Sequence, residues 1–220
     1  MLSSQLITFY EQLNPPRVPR GFGILHPQPS PEVMKVVQLF FQKYYADSRP
    51  RRLLLGINPG RFGAGITGIN FTGPRQLKND CGIDHPWGNG SELSAEFIYS
   101  MINAYGGPQK FYGDFFIGAV SPLGYIKAGK NINYYDDKKL QLAVKPFIVE
   151  TIKHQLQMGF SRESCFCIGG EKNFKFLESL NNDYQFFGKI IPLPHPRFIM
   201  QYRRKKMTEY IDLYIQALAT

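Results

Sequence analysis

The 220-residue chain has only three cysteines, four histidines and one tryptophan. It also lacks any apolar run near the roughly 20 residues that cross a bilayer. Each shortage excludes something. Cys81, Cys165 and Cys167 are odd in number and show no C-x-x-C spacing, so no closed disulfide framework is encoded. His26, His85, His154 and His195 are scattered, so no metal or iron–sulfur site is expected, and no cofactor. The start, Met1-Leu2-Ser3-Ser4-Gln5, lacks the charged beginning and long apolar region of a signal peptide. A cytoplasmic protein is expected, nucleoid-associated if the cell is prokaryotic. Acidic residues are the last scarcity: 17 Asp and Glu against 26 Lys and Arg leave a net charge of +9. That excess points to a polyanionic partner, nucleic acid ahead of an anionic membrane surface, because Lys and Arg neutralising phosphates supply most sequence-independent affinity.

What is present suffices for one compact α/β unit over residues 1–220, since 43% of residues are apolar. Residues 1–30 are expected as an extended N-terminal arm, proline- and glycine-rich from Asn14 to Ser30. Apolar spacing predicts helices at about 31–46, 91–105, 146–159, 173–180 and 203–218. Strands are predicted at 52–57, 115–120, 165–168 and 189–193. Strands alternating with helices imply a three-layer α/β/α sandwich around a largely parallel four-stranded sheet. Cys165 and Cys167, two apart on a strand, share one sheet face and fit core packing.

Two segments carry the chemistry. Leu53-Leu54-Leu55-Gly56-Ile57 is an apolar run that ends in the turn Asn58-Pro59-Gly60 and a glycine-rich loop to Gly73. In open α/β sheets such strand ends are where ligands bind. Ile191-Pro192-Leu193-Pro194-His195-Pro196-Arg197 likewise leaves an apolar run, and its prolines fix the backbone on both sides of His195. Gly63-Ala64-Gly65-Ile66-Thr67-Gly68 spells a dinucleotide fingerprint, but the following Ile69 to Pro74 is not helical, as that motif requires. Gly124 to Lys130 spells a phosphate loop, but Asn131 stands where a metal-binding hydroxyl belongs. Arg203-Arg204-Lys205-Lys206, at the predicted start of the last helix, is a candidate phosphate clamp, because cations there oppose the helix dipole and call for an anion. Lys172 and Asn173, at the start of another helix, form a second candidate phosphate site.

Gly56-Ile57-Asn58-Pro59-Gly60-Arg61-Phe62-Gly63, followed by Thr67-Gly68-Ile69 and Phe71, resembles the first motif of the single-strand-selective monofunctional branch of the uracil-DNA glycosylase superfamily. Pro194 to Arg197 resembles its second motif, and Phe115 to Leu123 its middle strand. The resemblance implies a monofunctional enzyme, acting as a monomer, that hydrolyses the N-glycosidic bond of a flipped-out base in single- or double-stranded DNA. By that analogy Asn58 positions the water and His195 hydrogen-bonds the uracil O2, with the Ile57 N–H as second donor. Such a donor is worth about 2.7 to 4 kcal/mol. Phe71 stacks on the base, while Gly60 and Gly63 allow close backbone approach.

The departures from the family pattern are equally informative. Ala119 stands where relatives place an asparagine that reads the uracil edge, and Ser121 is the nearest polar substitute. Gly65 and Ala119 leave room for deaminated purines such as hypoxanthine or xanthine. After His195 the loop is short, and Arg197 leads to Phe198-Ile199-Met200, one of which would fill the gap left by the flipped base. Two other function classes share some of these features. A non-catalytic nucleic-acid-binding module needs the basic charge but not Asn58 with His195, and a nucleoside hydrolase would show little salt dependence.

Overall fold

The computed structural model describes residues 1–220, and the elements run in this order. Helix α1 (Leu2–Glu11), strand β1 (Phe22–Leu25) and helix α2 (Pro31–Tyr44) precede β2 (Arg52–Gly56). Four helices follow: α3 (Ala64–Thr67), α4 (Pro74–Asn79), α5 (Leu93–Tyr105) and α6 (Pro108–Asp114). Then come β3 (Phe115–Ala119), β4 (Gly124–Lys127), β5 (Lys130–Ile132), α7 (Lys138–Gln157) and β6 (Ser164–Ile168). The chain ends with α8 (Gly170–Tyr184), β7 (Lys189–Leu193), α9 (Pro196–Tyr202), a 3-10 turn (Arg204–Lys206) and α10 (Met207–Leu218).

The four expected strands form one sheet in the order β3-β2-β6-β7, every pair parallel. The register sets Leu53 beside Phe116 and Cys165, and Leu54 beside Ile117 and Phe166. On the Leu53 face, Phe116 meets Phe41 of α2 at 6.1 Å between ring centres. On the opposite face Phe115 meets Tyr105 of α5 at 5.6 Å. Helices therefore cover both faces, which is why Leu53 to Leu55 read as an unbroken apolar run. Cys165 and Cys167 are buried free thiols. The buried apolar residues join into a cluster of 56. No helix is long and apolar enough to cross a membrane.

Several expectations need correcting. Residues 1–30 are not an extended arm throughout: Leu2–Glu11 is a helix that buries Leu2, Leu6, Phe9 and Tyr10, a helical spacing hidden by the proline-rich stretch behind it. Phe22–Leu25 then pairs with β4, which folds back on β5 through the turn residues Ala128 and Gly129, both at positive φ. Helix α7 starts at Lys138 rather than near Pro146, because the Asp137 carboxylate caps it by accepting from the Lys139 and Leu140 N–H groups at 2.9 and 3.3 Å. Pro146 lies on its exposed side. Helix α8 starts at Gly170, three residues before Asn173, so Asn173 points inward instead of capping a helix. Arg203 to Lys206 precede α10 rather than opening it, and Glu209 occupies its first turn and pairs with Lys206 at 3.2 Å.

Candidate active site

All four parallel strands end on one cleft of about 440 Å³. Ile57 and Asn58 follow β2, Ala119 ends β3, Gly169 follows β6 and His195 follows β7. The chain goes from β2 to β3 on one side and later returns to β6 on the other, so the cleft lies where the strand order reverses.

The Asn58 amide is tied down by the end of β5 and the segment that follows it. Its Nδ2 donates to the Ile132 carbonyl at 3.3 Å and to the Pro59 carbonyl at 3.4 Å. Its Oδ1 accepts the Tyr134 N–H at 3.1 Å. Both amide hydrogens are thereby used, and one Oδ1 lone pair remains for a water. His195 is tied down by its own neighbours. The Arg197 N–H donates to its Nδ1 at 3.1 Å, capping α9, and Pro196 opens that helix. The Tyr214 hydroxyl of α10 donates to the Pro194 carbonyl. Because Nδ1 accepts, the neutral ring carries its proton on Nε2, which is left to donate. Burial, aided by the Arg197 charge, pushes the His195 pKa down to about 4, so the imidazole is neutral at physiological pH.

Phe71 supplies a wall. Its ring centre lies 6.2 Å from that of His195, and its backbone sits in the left-handed region at φ 52°. The ring covers Gly56, where an added Cβ would come within 2.6 Å of it. That approach explains the glycine at a strand end.

The cleft gathers Ile57, Asn58, Gly60, Phe71, Ala119, His195, Arg197 and Phe198, and leaves other predicted residues outside it. Ser121 is fully buried; its hydroxyl donates to the Leu123 carbonyl at 2.9 Å and shares a hydrogen bond with Tyr125, so it cannot read a base. Gly65 packs on Leu25 and the Gly60 carbonyl, so it gives the cleft no room. Gly63 packs against the Glu92 carboxyl. Asn173 is fully buried and bonded within the fold, so it cannot touch phosphate. Lys172 is exposed beside it. Arg203 to Lys206 are exposed just beyond α9, with Arg204 3.8 Å from Glu96. Ile199 and Met200 are core residues, whereas Phe198 (44% exposed) and Tyr202 (63%) stand at the rim, ring centres 5.7 Å apart.

Sequence reasoning missed Glu92, the one acidic residue in the cleft wall. Burial raises its pKa, partly offset by Arg197. Nothing local marks it, because it reaches the cleft only through the packing of α5 against the 60–63 loop. No group of three or more His, Cys, Asp or Glu is arranged to hold a metal ion.

This arrangement agrees with the comparisons to known proteins. Residues 42–219 match the model of the uracil DNA glycosylase superfamily. Among solved structures, the crystal structure of wild-type SMUG2 from Pedobacter heparinus superposes with a TM-score of 0.95 at 45% sequence identity, covering 99% of this chain and 97% of that one. No curated protein matches the sequence. An enzyme that hydrolyses N-glycosyl bonds in DNA is thus the class that fold and site define. The chain belongs to the uracil DNA glycosylase superfamily.

Proposed function

We propose that this DNA glycosylase removes uracil, and also hypoxanthine and xanthine, from DNA as flipped-out bases, leaving an abasic site for base excision repair. The observation that carries the reading is the convergence of Asn58 and His195 on one cleft walled by the Phe71 ring. Bond cleavage develops a cationic sugar and an anionic base, so the site needs a donor for the base and a held water for the sugar. His195 Nε2–H is the donor, with the Ile57 N–H beside it, and the neutral ring loses no proton in the process. Asn58 is a poor base, but the oxygen lone pair it has left orients a water, and a nearly formed cation demands little more of its nucleophile. Phe71 stacks on the base.

The base range follows from Ala119. Its methyl makes no hydrogen bond to a base edge, so the contact that the family pattern takes from an asparagine there is missing, and discrimination at that edge is weak. On the DNA side, Phe198 with Tyr202 fills the gap left by the flipped base, because Ile199 and Met200 are committed to the core. Arg197, Lys172 and the exposed Arg203 to Lys206 neutralise phosphates.

The test is an excision assay on 5′-labelled oligonucleotides, single- and double-stranded, each carrying one uracil, hypoxanthine or xanthine, followed by alkali. Alkali-dependent scission at all three bases is expected. Scission at uracil alone would sink the broad base range; scission at none would leave a DNA-binding module.

A further inference from the structure

The β4–β5 hairpin and the residues after it border the cleft, and their tie to Asn58 is made by backbone atoms, Ile132 O and Tyr134 N. Tyr134 lies just past the last ladder residue of β5, where sheet pairing no longer fixes it. Its side chain fixes it instead. The fully buried Tyr134 donates its hydroxyl to Asn173 Oδ1 at 2.6 Å, and its ring centre lies 4.8 Å from that of Phe176 on α8. Asn173 in turn donates through Nδ2 to the Gly56 carbonyl at 3.4 Å and to Cys167 Sγ at 3.2 Å. Gly56 lies two residues before Asn58, so these bonds close a ring: the Asn58 amide, the Tyr134 backbone, its hydroxyl, Asn173, and the end of β2.

A buried amide and a buried phenol are costly unless paired, and here each finds its partner inside the ring. Burial holds the Tyr134 pKa well above 10, so the hydroxyl remains a donor throughout the working pH range. Gly169 belongs to the same device, since a Cβ there would lie 2.5 Å from Asn173 Nδ2 and push the amide out of place.

We propose that Tyr134 and Asn173 are positioning residues for Asn58, setting the plane of its amide from behind the cleft without touching DNA. The inference rests on Asn58 being the group that holds the water. Sub-ångström placement of such a group has large kinetic effects, while an interior ring has no route to DNA affinity.

The experiment compares wild type, Tyr134→Phe, Asn173→Ser, Tyr125→Phe and Asn58→Ala in single-turnover uracil excision, with melting curves to confirm folding. Tyr125 is the control: it is equally buried and its hydroxyl also bonds a side chain, that of Ser121, at 2.8 Å, but it lies outside the ring. Tyr134→Phe is expected to slow excision at saturating DNA about tenfold, the effect of losing one good hydrogen bond, with the half-saturating DNA concentration unchanged. Asn173→Ser breaks the ring at its other member and should act in the same way. Tyr125→Phe should keep the wild-type rate. A folded Tyr134→Phe or Asn173→Ser protein that excises at the wild-type rate, or is slowed no more than Tyr125→Phe, overturns the proposal. Wild-type excision by Asn58→Ala would overturn the reading of Asn58 instead, so the two failures are distinguishable.

Discussion

Asn58 and His195 face one cleft, but the fold holds them in opposite ways. Asn58 is fixed from far along the chain, by Ile132 and Tyr134 more than 70 residues away. His195 is fixed mainly from within its own heptapeptide, by flanking prolines and the Arg197 N–H, with the Tyr214 hydroxyl as its one distant tie. The His195 side also carries a run of cations, Arg197 and the exposed Arg203 to Lys206. A rigid local motif can orient a ring wherever it is placed, whereas a short amide side chain at a strand end needs the rest of the fold to aim it.

The contrast can be broken at several strengths. The largest effect is expected from His195→Ala and Asn58→Ala, lowering single-turnover excision by about 10²–10³-fold for His195→Ala, the usual cost of one transition-state donor, and by about 10²-fold for Asn58→Ala, which leaves the water unheld. DNA affinity in gel-shift titrations should stay near wild type; equal loss of affinity would mean the residues bind rather than react. Next is Arg197→Pro against Arg197→Ala. Proline is accepted in a first helical turn but removes the N–H that His195 Nδ1 uses, freeing the ring to take the wrong tautomer. Excision at saturating DNA should be about tenfold slower in Arg197→Pro than in Arg197→Ala; equal rates would show that the flanking prolines alone suffice.

A smaller effect concerns the run of cations. Neutralising Arg203 and Lys205 should flatten the plot of log affinity against log salt by about 0.7–0.9 for each phosphate that no longer has a cation beside it. The same change at Lys35, on helix α2 across the sheet from α5, should leave the slope unaltered. A separate effect, on stability rather than on excision, is expected in acid. The unfolded His195 ring takes a proton near 6.5 and the folded ring only near 4, so protonation favours the unfolded chain as pH falls between these values. His195→Gln should therefore lose less stability than wild type between pH 6.5 and 4 in urea titrations; parallel curves would mean that the ring titrates normally in the fold.

The contrast also explains what was legible in the sequence. Pro194-His195-Pro196-Arg197 and Gly56-Ile57-Asn58-Pro59-Gly60 announce themselves because their geometry is set by neighbouring residues. The four sheet strands were legible for a similar reason, as unbroken apolar runs between helices. The β4–β5 hairpin was not, since its strands are short, half polar and meaningful only by pairing with β1. Glu92 and the Tyr134–Asn173 link arise from packing between distant segments, and no local pattern encodes them. Asn173 shows the hazard: read as the start of a helix it suggested phosphate binding, but α8 begins earlier and turns its side chain into the core. Ser121 failed likewise, because its hydroxyl is spent on Leu123 and Tyr125.

The ring of Phe71 lying on Gly56 has a consequence for how this site evolves. A side chain at position 56 collides with the ring, and the ring needs the bare backbone beneath it, so neither position can drift alone. A substitution at either of the two therefore carries a cost that only a matching change at the other removes.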